Sequence, residues 1–422
     1  MGSGVNVKTV KRIHDDLIEK RYIKSTTEHS YFSERSHKLG QVEDVFNEMN
    51  GEGMNKLMNN FFNSFRELST QPENDTLRSV VRDKAQMVSH DFQRVHNRLS
   101  DLEQSIDSGV EKHVDDINNL LERIRTLNIR ISQFEIETGE TGDLRDQRDL
   151  AVKNLSEFME IQTYADNKNQ FTVNATGIGS LVVSGMAQKF QTQTVQNEFG
   201  EPSKVVTFAN RPGYAINDKV STGKLGALFE LKKGELSQFR NNLDALAYNF
   251  SNAVNAIHRQ GFINTSSTKH NPEMPISGIN FFEPLSERKN AAANMKLNQL
   301  ILDDPVYIAS ALEPNSPGDN RVAIAISKLQ HEKIANQGES TLEEDYLRNI
   351  GVIGLATSKA KLNEEQTKGM LAQIVTLKER VSGVSLDEEA ANMIKFQHAY
   401  EASAKVISAS EEMFNSLLKL LS

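Results

Sequence analysis

The chain is 422 residues long, with 38% hydrophobic and 7% aromatic residues, no Trp, no Cys and a formal net charge of −9. This length allows two or three cores; zero Cys excludes disulfides, thiol catalysis and thiolate metal sites, and the acidic balance argues against a nucleic-acid partner, which needs clustered Lys and Arg. No window approaches the roughly eighteen consecutive apolar residues of a membrane span, and no basic start leads into an apolar leader, so neither membrane contact nor a cleaved signal peptide is expected.

From the start, Val10, Ile13 and Leu17, then Leu39, Val42 and Phe46, have helical spacing over residues 7–50, interrupted around Ser25–His29 and stopped by Asn50 and Gly51. Leu57, Phe61, Phe65 and Leu68 place a second helix before Pro72. The longest periodic run opens at Asn74 or Asp75 and reaches Thr138 without Pro. Its seam of Val95, Leu99, Leu102 and Ile106 shifts at Val110 and resumes at Ile117, so a bend or break is expected near the single interior glycine, Gly109. Such a run spans roughly 90 Å at 1.5 Å per residue, a rod rather than a globule. Asp143 opens another helix carrying Leu144, Leu150, Leu155 and Phe158, on which Arg145 and Asp149 are spaced for an exposed ion pair.

Between Glu160 and Asp218 the texture changes. Alternation at Phe171 and Val173 and at Leu181 and Val183, with turn clusters at Asp166–Asn169, Thr176–Ser180 and Asn197–Ser203, predicts short strands. Helix returns at Leu225, with Phe239, Leu243, Leu246, Phe250, Ala253 and Ile257 in clean steps until Gly261. Residues 264–320 are rich in Pro, Asn and Ser and read as a second surface excursion, with a short helix capped by Asp304 and begun by Pro305. Thr341 and Glu344 form a capping-box pattern before a helix through Tyr346, Ile353, Ala360 and Leu377 that ends at Gly383. The resulting organisation is a helical rod in three parts, 5–159, 221–262 and 331–383, interrupted by a β-rich insertion at 160–220 and an irregular outer excursion at 263–330, and followed by a terminal helix at 384–422.

That terminal helix organises the rest. From Ser385 to Ser422 there is no Gly or Pro, and Ser385 with Glu388 has capping-box spacing. Steps of four and three from Leu386 pass through Ala390, Met393, Gln397, Tyr400, Ala404, Ile407, Glu411, Phe414, Leu418 and Leu421, a heptad seam. A parallel row runs through Phe396, Ala399, Ser403, Val406, Ser410, Met413, Leu417 and Leu420, so the stripe is broad enough for two neighbours. Packing on its own body is the ordinary fate of an amphipathic helix; the alternative is a surface left for other molecules. Leu386, Met393, Phe396, Tyr400, Ile407, Met413, Phe414, Leu417, Leu418 and Leu421 are the candidate assembly residues.

Enzyme constellations fail in this sequence. There is no H-E-x-x-H, no Walker lysine and no G-x-S-x-G, and Gly177, Gly179 and Gly185 lack dinucleotide-loop spacing and context. Neighbouring carboxylates such as Asp115 with Asp116 or Asp303 with Asp304 point to different helix faces. His113 lies on a seam and His398 on the tail's edge, and both are expected to be structural.

The residues Ser382–Glu389, followed by Phe396, Tyr400, Ala404, Ile407 and Phe414, resemble the C-terminal signature of the flagellar axial proteins. Within that family, D-L-R-D-Q-R-D at Asp143–Asp149, G-K-L-G-A-L-F-E-L at Gly223–Leu231 and P-G-D-N at Pro317–Asn320 are similar to stretches of the hook-associated proteins, in the same order. The resemblance implies a mainly α, elongated, flagellin-like helical bundle with a small outer β-rich domain, acting as a structural subunit where hook joins filament. It implies no enzyme, cofactor or metal. The implied partners are copies of itself in a ring or tube, the hook protein, the next junction protein and an export chaperone, with an extracellular location on the bacterial flagellum reached by type III export. A neighbouring junction protein or a flagellin-type subunit is the nearer alternative; an exported binding protein or enzyme on an axial frame is the more distant one. The family's further N-terminal helix and N-x-x-N-x-x-T-x-G-Y-type motif are missing, so an N-terminally shortened form is expected.

Overall fold

The computed structural model describes residues 14–46, 53–138, 141–165, 170–263, 276–383 and 386–420. Its spine is one uninterrupted helix, α3 (Asp75–Thr138), 64 residues long and about 95 Å end to end. Val81, Ala85, Val88, Phe92, Val95, Leu99, Leu102 and Ile106 are buried in alternating steps of four and three; two consecutive steps of four, to Val110 and Val114, then rotate the stripe. The expected break at Gly109 is absent, because such a stutter changes the winding without costing a hydrogen bond. Gly109 faces Leu228, with whose Cδ1 a Cβ would make ordinary contact at 3.7 Å.

Four further helices build the rod around this spine: α1 (Asp16–Phe46), α2 (Met54–Thr70), α4 (Gly142–Ser156) and α10 (Leu342–Ser382). In α1 the expected interruption at Ser25–His29 does not occur. Ser25, Thr26, Thr27 and Ser30 are buried, and the Thr27 hydroxyl lies 3.0 Å from the Ile23 carbonyl and 2.7 Å from the Ser156 carbonyl at the end of α4. Small side chains here, with the Thr27 hydroxyl satisfied by backbone carbonyls, let two helices approach closely, so local polarity marks a contact rather than a loop. The antiparallel partner of α1 is α10, to which it is tied by Lys378–Glu19 (2.6 Å) and Ser33–Glu364 (3.0 Å). The α10 start is a complete capping box: the Glu344 N–H donates to Thr341 Oγ1 and the Thr341 N–H donates to the Glu344 carboxylate.

The β-rich stretch forms two antiparallel sheets. The first has order β1 (Ile161–Ala165), β2 (Phe171–Ala175), β3 (Gly179–Val183) and β4 (Met186–Ala187); the second has order β5 (Phe190–Gln196), β6 (Pro202–Phe208) and β7 (Arg211–Ala215). A register shift opposite Val173 and Asn174 turns both Leu181 and Val182 inward, which breaks simple alternation. The D-L-R-D-Q-R-D stretch lies on α4 and fastens the first sheet to the rod. Arg148 is buried with its guanidinium 3.8 Å from the centre of the Phe171 ring, while Asn128 of α3 donates to the carbonyls of Phe171 and Ser184. Arg145 reaches Glu135 at 2.7 Å.

Chain return to the rod is through α5 (Gly223–Leu231), a π turn at Lys232–Leu236 and α6 (Ser237–His258). Gly223 has φ +66, and a Cβ on it would meet the Phe158 carbonyl carbon at 2.4 Å. Only glycine allows α5 to begin against the end of α4, where the N–H groups of Lys224 and Leu225 donate to the carbonyls of Glu157 and Phe158.

The segment after α6, expected to run over the surface, instead closes the core. Residues 264–275 lie outside the described residues. Beyond them Phe281, Phe282, Ala292, Met295, Ile301 and Ile308 are fully covered, on and around α7 (Ala291–Asn294) and α8 (Gln299–Asp303). Phe61 centres an aromatic knot, with the rings of Phe62, Phe65, Phe250, Phe281 and Phe282 between 5.2 and 6.1 Å away. Buried Arg78 donates to the carbonyls of Ile308 and Pro72 and to Ser310 Oγ. Asp304 does cap, accepting from the Val306 N–H, but over a single 3-10 turn, Pro305–Tyr307. In P-G-D-N, Asp319 accepts from the N–H groups of Leu312 and Glu313, and Asn320 donates to the Ser69 carbonyl ahead of α9 (Arg321–Lys328), a loop organiser rather than a site.

Phe281→Ala should lower unfolding free energy by about 3–5 kcal/mol in denaturant titration, the range for truncating a fully packed aromatic. His258 is buried, donates through Nδ1 to the Ile279 carbonyl and accepts the Ala309 N–H at Nε2. Burial pushes its pKa down from 6.5 to about 4. Its contribution to stability is therefore intact above pH 6.5 and is lost as pH falls toward 4, by roughly 3 kcal/mol. His258→Gln should flatten that part of the stability–pH curve measured by chemical denaturation.

Candidate assembly surface

Beyond Gly383 the chain forms α11 (Leu386–Leu420), about 52 Å long. Asp387 and Glu389 sit near its positive end and Lys419 in its last turn, which complements the helix dipole. Every side chain described on α11 is exposed, the large apolar ones included: Phe396 is 71%, Tyr400 76%, Ile407 68% and Phe414 63% accessible. Met393, Met413, Leu417 and Leu418 share that state. Leu386 begins the helix, but its side chain, the Ser385–Glu388 capping pair and Leu421 lie outside what is described. The structure thus places the described candidates on one helix and leaves their stripe uncovered by the chain's own body.

Two seam serines are suited to a dry contact. Ser403 donates to the Ala399 carbonyl at 2.8 Å and Ser410 to the Val406 carbonyl at 2.9 Å. With their hydroxyls satisfied within the helix, they need no polar partner when covered. On α10, Leu355 and Leu362 also point away from the body.

Elsewhere the chemistry is structural. Arg240 on α6 is wholly buried, pairs with Glu201 at 2.6 Å and lies 4.1 Å from the Phe199 ring centre, holding the β5–β6 turn on the rod. Arg240's hydrogen bond holds the Glu201 carboxyl below the usual range, whereas burial pushes Glu103 up. A cavity of about 680 Å³ beside this latch is lined by charges already paired, Lys232 with Asp107 and Lys233 with Asp218. His113 packs 5.2 Å from Phe158 with its pKa lowered by burial, and exposed His398 faces Glu401 at 3.7 Å. Among the described residues no group of His and carboxylates is arranged to hold a metal, and no helix is long and apolar enough to cross a membrane.

This architecture matches known proteins along nearly its whole length. The family described as flagellar hook-associated protein FlgK helical domain matches residues 39–271, and that described as flagellar basal body rod FlgEFG protein C-terminal matches residues 380–420. Flagellar hook-associated protein 1 of Bacillus subtilis is 28% identical over 446 residues, covering 99% of this chain and 86% of that protein. The Salmonella typhimurium protein of the same name is 22% identical, covering 100% of this chain and 90% of its own length. In fold, the structure of the flagellar hook junction protein FlgK from Burkholderia pseudomallei aligns with a TM-score of 0.71 over 87% of this chain and 100% of that one, at 15% identity. With the helical-domain match spanning more than half of its residues, the chain belongs to the FlgK family of flagellar hook-associated proteins, a structural family rather than an enzymatic one.

Proposed function

We propose that this protein is a structural building block of the bacterial flagellum at the hook–filament junction, and that it polymerises by covering the α11 stripe with helices of neighbouring molecules. The observation that carries this reading is the uncovered apolar face from Met393 to Leu418 on a helix with no packing of its own. An isolated helix without a packed face is marginal in water, while each large apolar side chain it buries contributes roughly 1.5–3 kcal/mol. Association therefore orders the tail and stabilises the contact in one step. The two parallel rows of the stripe suit two neighbours at once, as in a ring or tube of copies of this chain.

The hook protein and the next junction protein are the proposed axial neighbours. A stripe of this extent is also an aggregation hazard before assembly, which supports a cytoplasmic chaperone that shields α11 until type III export places the chain outside the cell. The β-rich insertion, 160–220, is the proposed outer part of the subunit.

Removing residues 384–422 should leave the melting temperature of the body within about 2 °C, since a change of 1 kcal/mol shifts larger domains by only about 2–4 °C; a large drop in calorimetry would mean that the tail belongs to the core. Replacing Phe396, Ile407 and Phe414 together with Ser should abolish incorporation into flagella, scored by electron microscopy and motility, with the body's circular dichroism melt unchanged. Normal assembly of that triple variant would refute the role of the stripe.

A further inference from the structure

His96 on α3 is buried against the contact that holds the β5–β6 turn on the rod. Glu201 in that turn grips Arg240 of α6 with both carboxylate oxygens, at 2.5 and 2.6 Å. Arg240 Nη2 also lies 3.4 Å from His96 Nε2. A guanidinium has only N–H donors, so this ring nitrogen accepts and the ring is neutral, with its proton on Nδ1. Nδ1 is buried and has no hydrogen-bond partner. A proton added at Nε2 turns the acceptor into a donor that faces another donor. Glu201 Oε1, 4.0 Å away, is already engaged by Arg240, so a charged ring must compete with Arg240 for it.

We propose that His96, Arg240 and Glu201 form a proton-operated latch, in which charging the His96 ring loosens the β5–β6 turn and its sheet from the rod. The device lies inside one chain and is independent of the α11 reading. The turn is built to part as a unit: the Asn197 side chain accepts from the N–H groups of Phe199 and Glu201, and it donates to Glu103 on α3 at 3.3 Å. The charges around the latch set its sign. Burial first, then Arg240, push the His96 pKa below 6.5, against a weaker upward pull from Glu201. A ring that resists its proton while the latch is closed favours the open latch as pH falls below 6.5. Glu201, held low by the Arg240 hydrogen bond, adds the same sign in stronger acid. Glu103, 3.4 Å from Arg240 and pushed up by burial, works in the opposite direction; Lys232, paired with Asp107 at 2.5 Å, faces it. Asp244 on α6, also pushed up by burial, accepts from the N–H groups of Asn290 and Ala292, with Arg288 nearby. Because these carboxyls oppose the histidine, its part is isolated by substituting His96 itself.

The test is amide hydrogen exchange of the full chain, read by mass spectrometry at about pH 7.5 and about pH 5, on either side of the ordinary histidine range, and corrected for the intrinsic pH dependence of exchange. In His96→Gln the side-chain oxygen still accepts from Arg240 but cannot charge. Over β5 and β6, residues 190–208, the loss of protection on acidification should be greater in the unsubstituted chain than in His96→Gln, by roughly threefold or more. Over β2 and β3, residues 171–183, which Arg148 and Asn128 fasten without a histidine, the two chains should behave alike. Equal loss in both chains at 190–208, or a difference spread evenly over both sheets, overturns the latch. Exchange of the His96 C2–H in the unsubstituted chain gives the ring's own titration midpoint, expected below 6.5. A midpoint at or above that value overturns the proposal whether or not His96→Gln folds.

Discussion

The inward stripe of α3, from Val81 to Ile124, lies at the centre of one contiguous core to which α1, α2, α4, α6, α10 and both sheets contribute. Most of the stability of such a helix comes from packing, here from apolar surface supplied by parts of the chain far apart in sequence. The arrangement has a consequence for the tail. The inward apolar faces of the body are matched to one another, and the tail's stripe is left outside that core.

Polar contacts decide where the non-helical parts sit on this core. Arg148 and Asn128 hold the first sheet by cation–π contact and by donation to backbone carbonyls, and Arg240 holds the β5–β6 turn through Glu201 and Phe199. Both arginines are buried, and stripping one partner from such a group leaves a charge without compensation. These contacts therefore fix position more than they add stability. D-L-R-D-Q-R-D and G-K-L-G-A-L owe their residue types to fastening and close approach, with Arg148 over Phe171 and Gly223 against Phe158, and not to chemistry on a substrate.

The helices of the rod were legible in the sequence because a seam such as Val95–Leu99–Leu102–Ile106 has one explanation, and α11 was legible for the same reason. Less legible were places where composition and burial part company. Ser25–Thr27 look like a loop and are a helix contact, in which backbone carbonyls of α1 and α4 satisfy the Thr27 hydroxyl. Residues 276–320 are rich in turn formers, which report where the backbone changes direction and say nothing of depth; the Phe281–Phe282 pair was the available sign that this segment enters the core. At Gly109 a slip of phase looked like a joint and proved to be a stutter, which a continuous helix absorbs.

Gly383 shows how the rod is parted from the tail. Its N–H donates to the Glu379 carbonyl at 2.8 Å, and a Cβ on it would fall 2.2 Å from that same oxygen. No larger residue could end α10 in this way. The last turn is itself held, since Lys378 pairs with Glu19 and lies 4.8 Å from the Tyr22 ring, with Lys153 5.0 Å from the same ring. A helix end pinned to its neighbours and closed by a residue without a side chain gives a short link of fixed residue count. The extended backbone of Gly383, with φ −80 and ψ 154, ends the helical phase of α10 there, so the rod closes on itself and the tail's stripe is set apart from it.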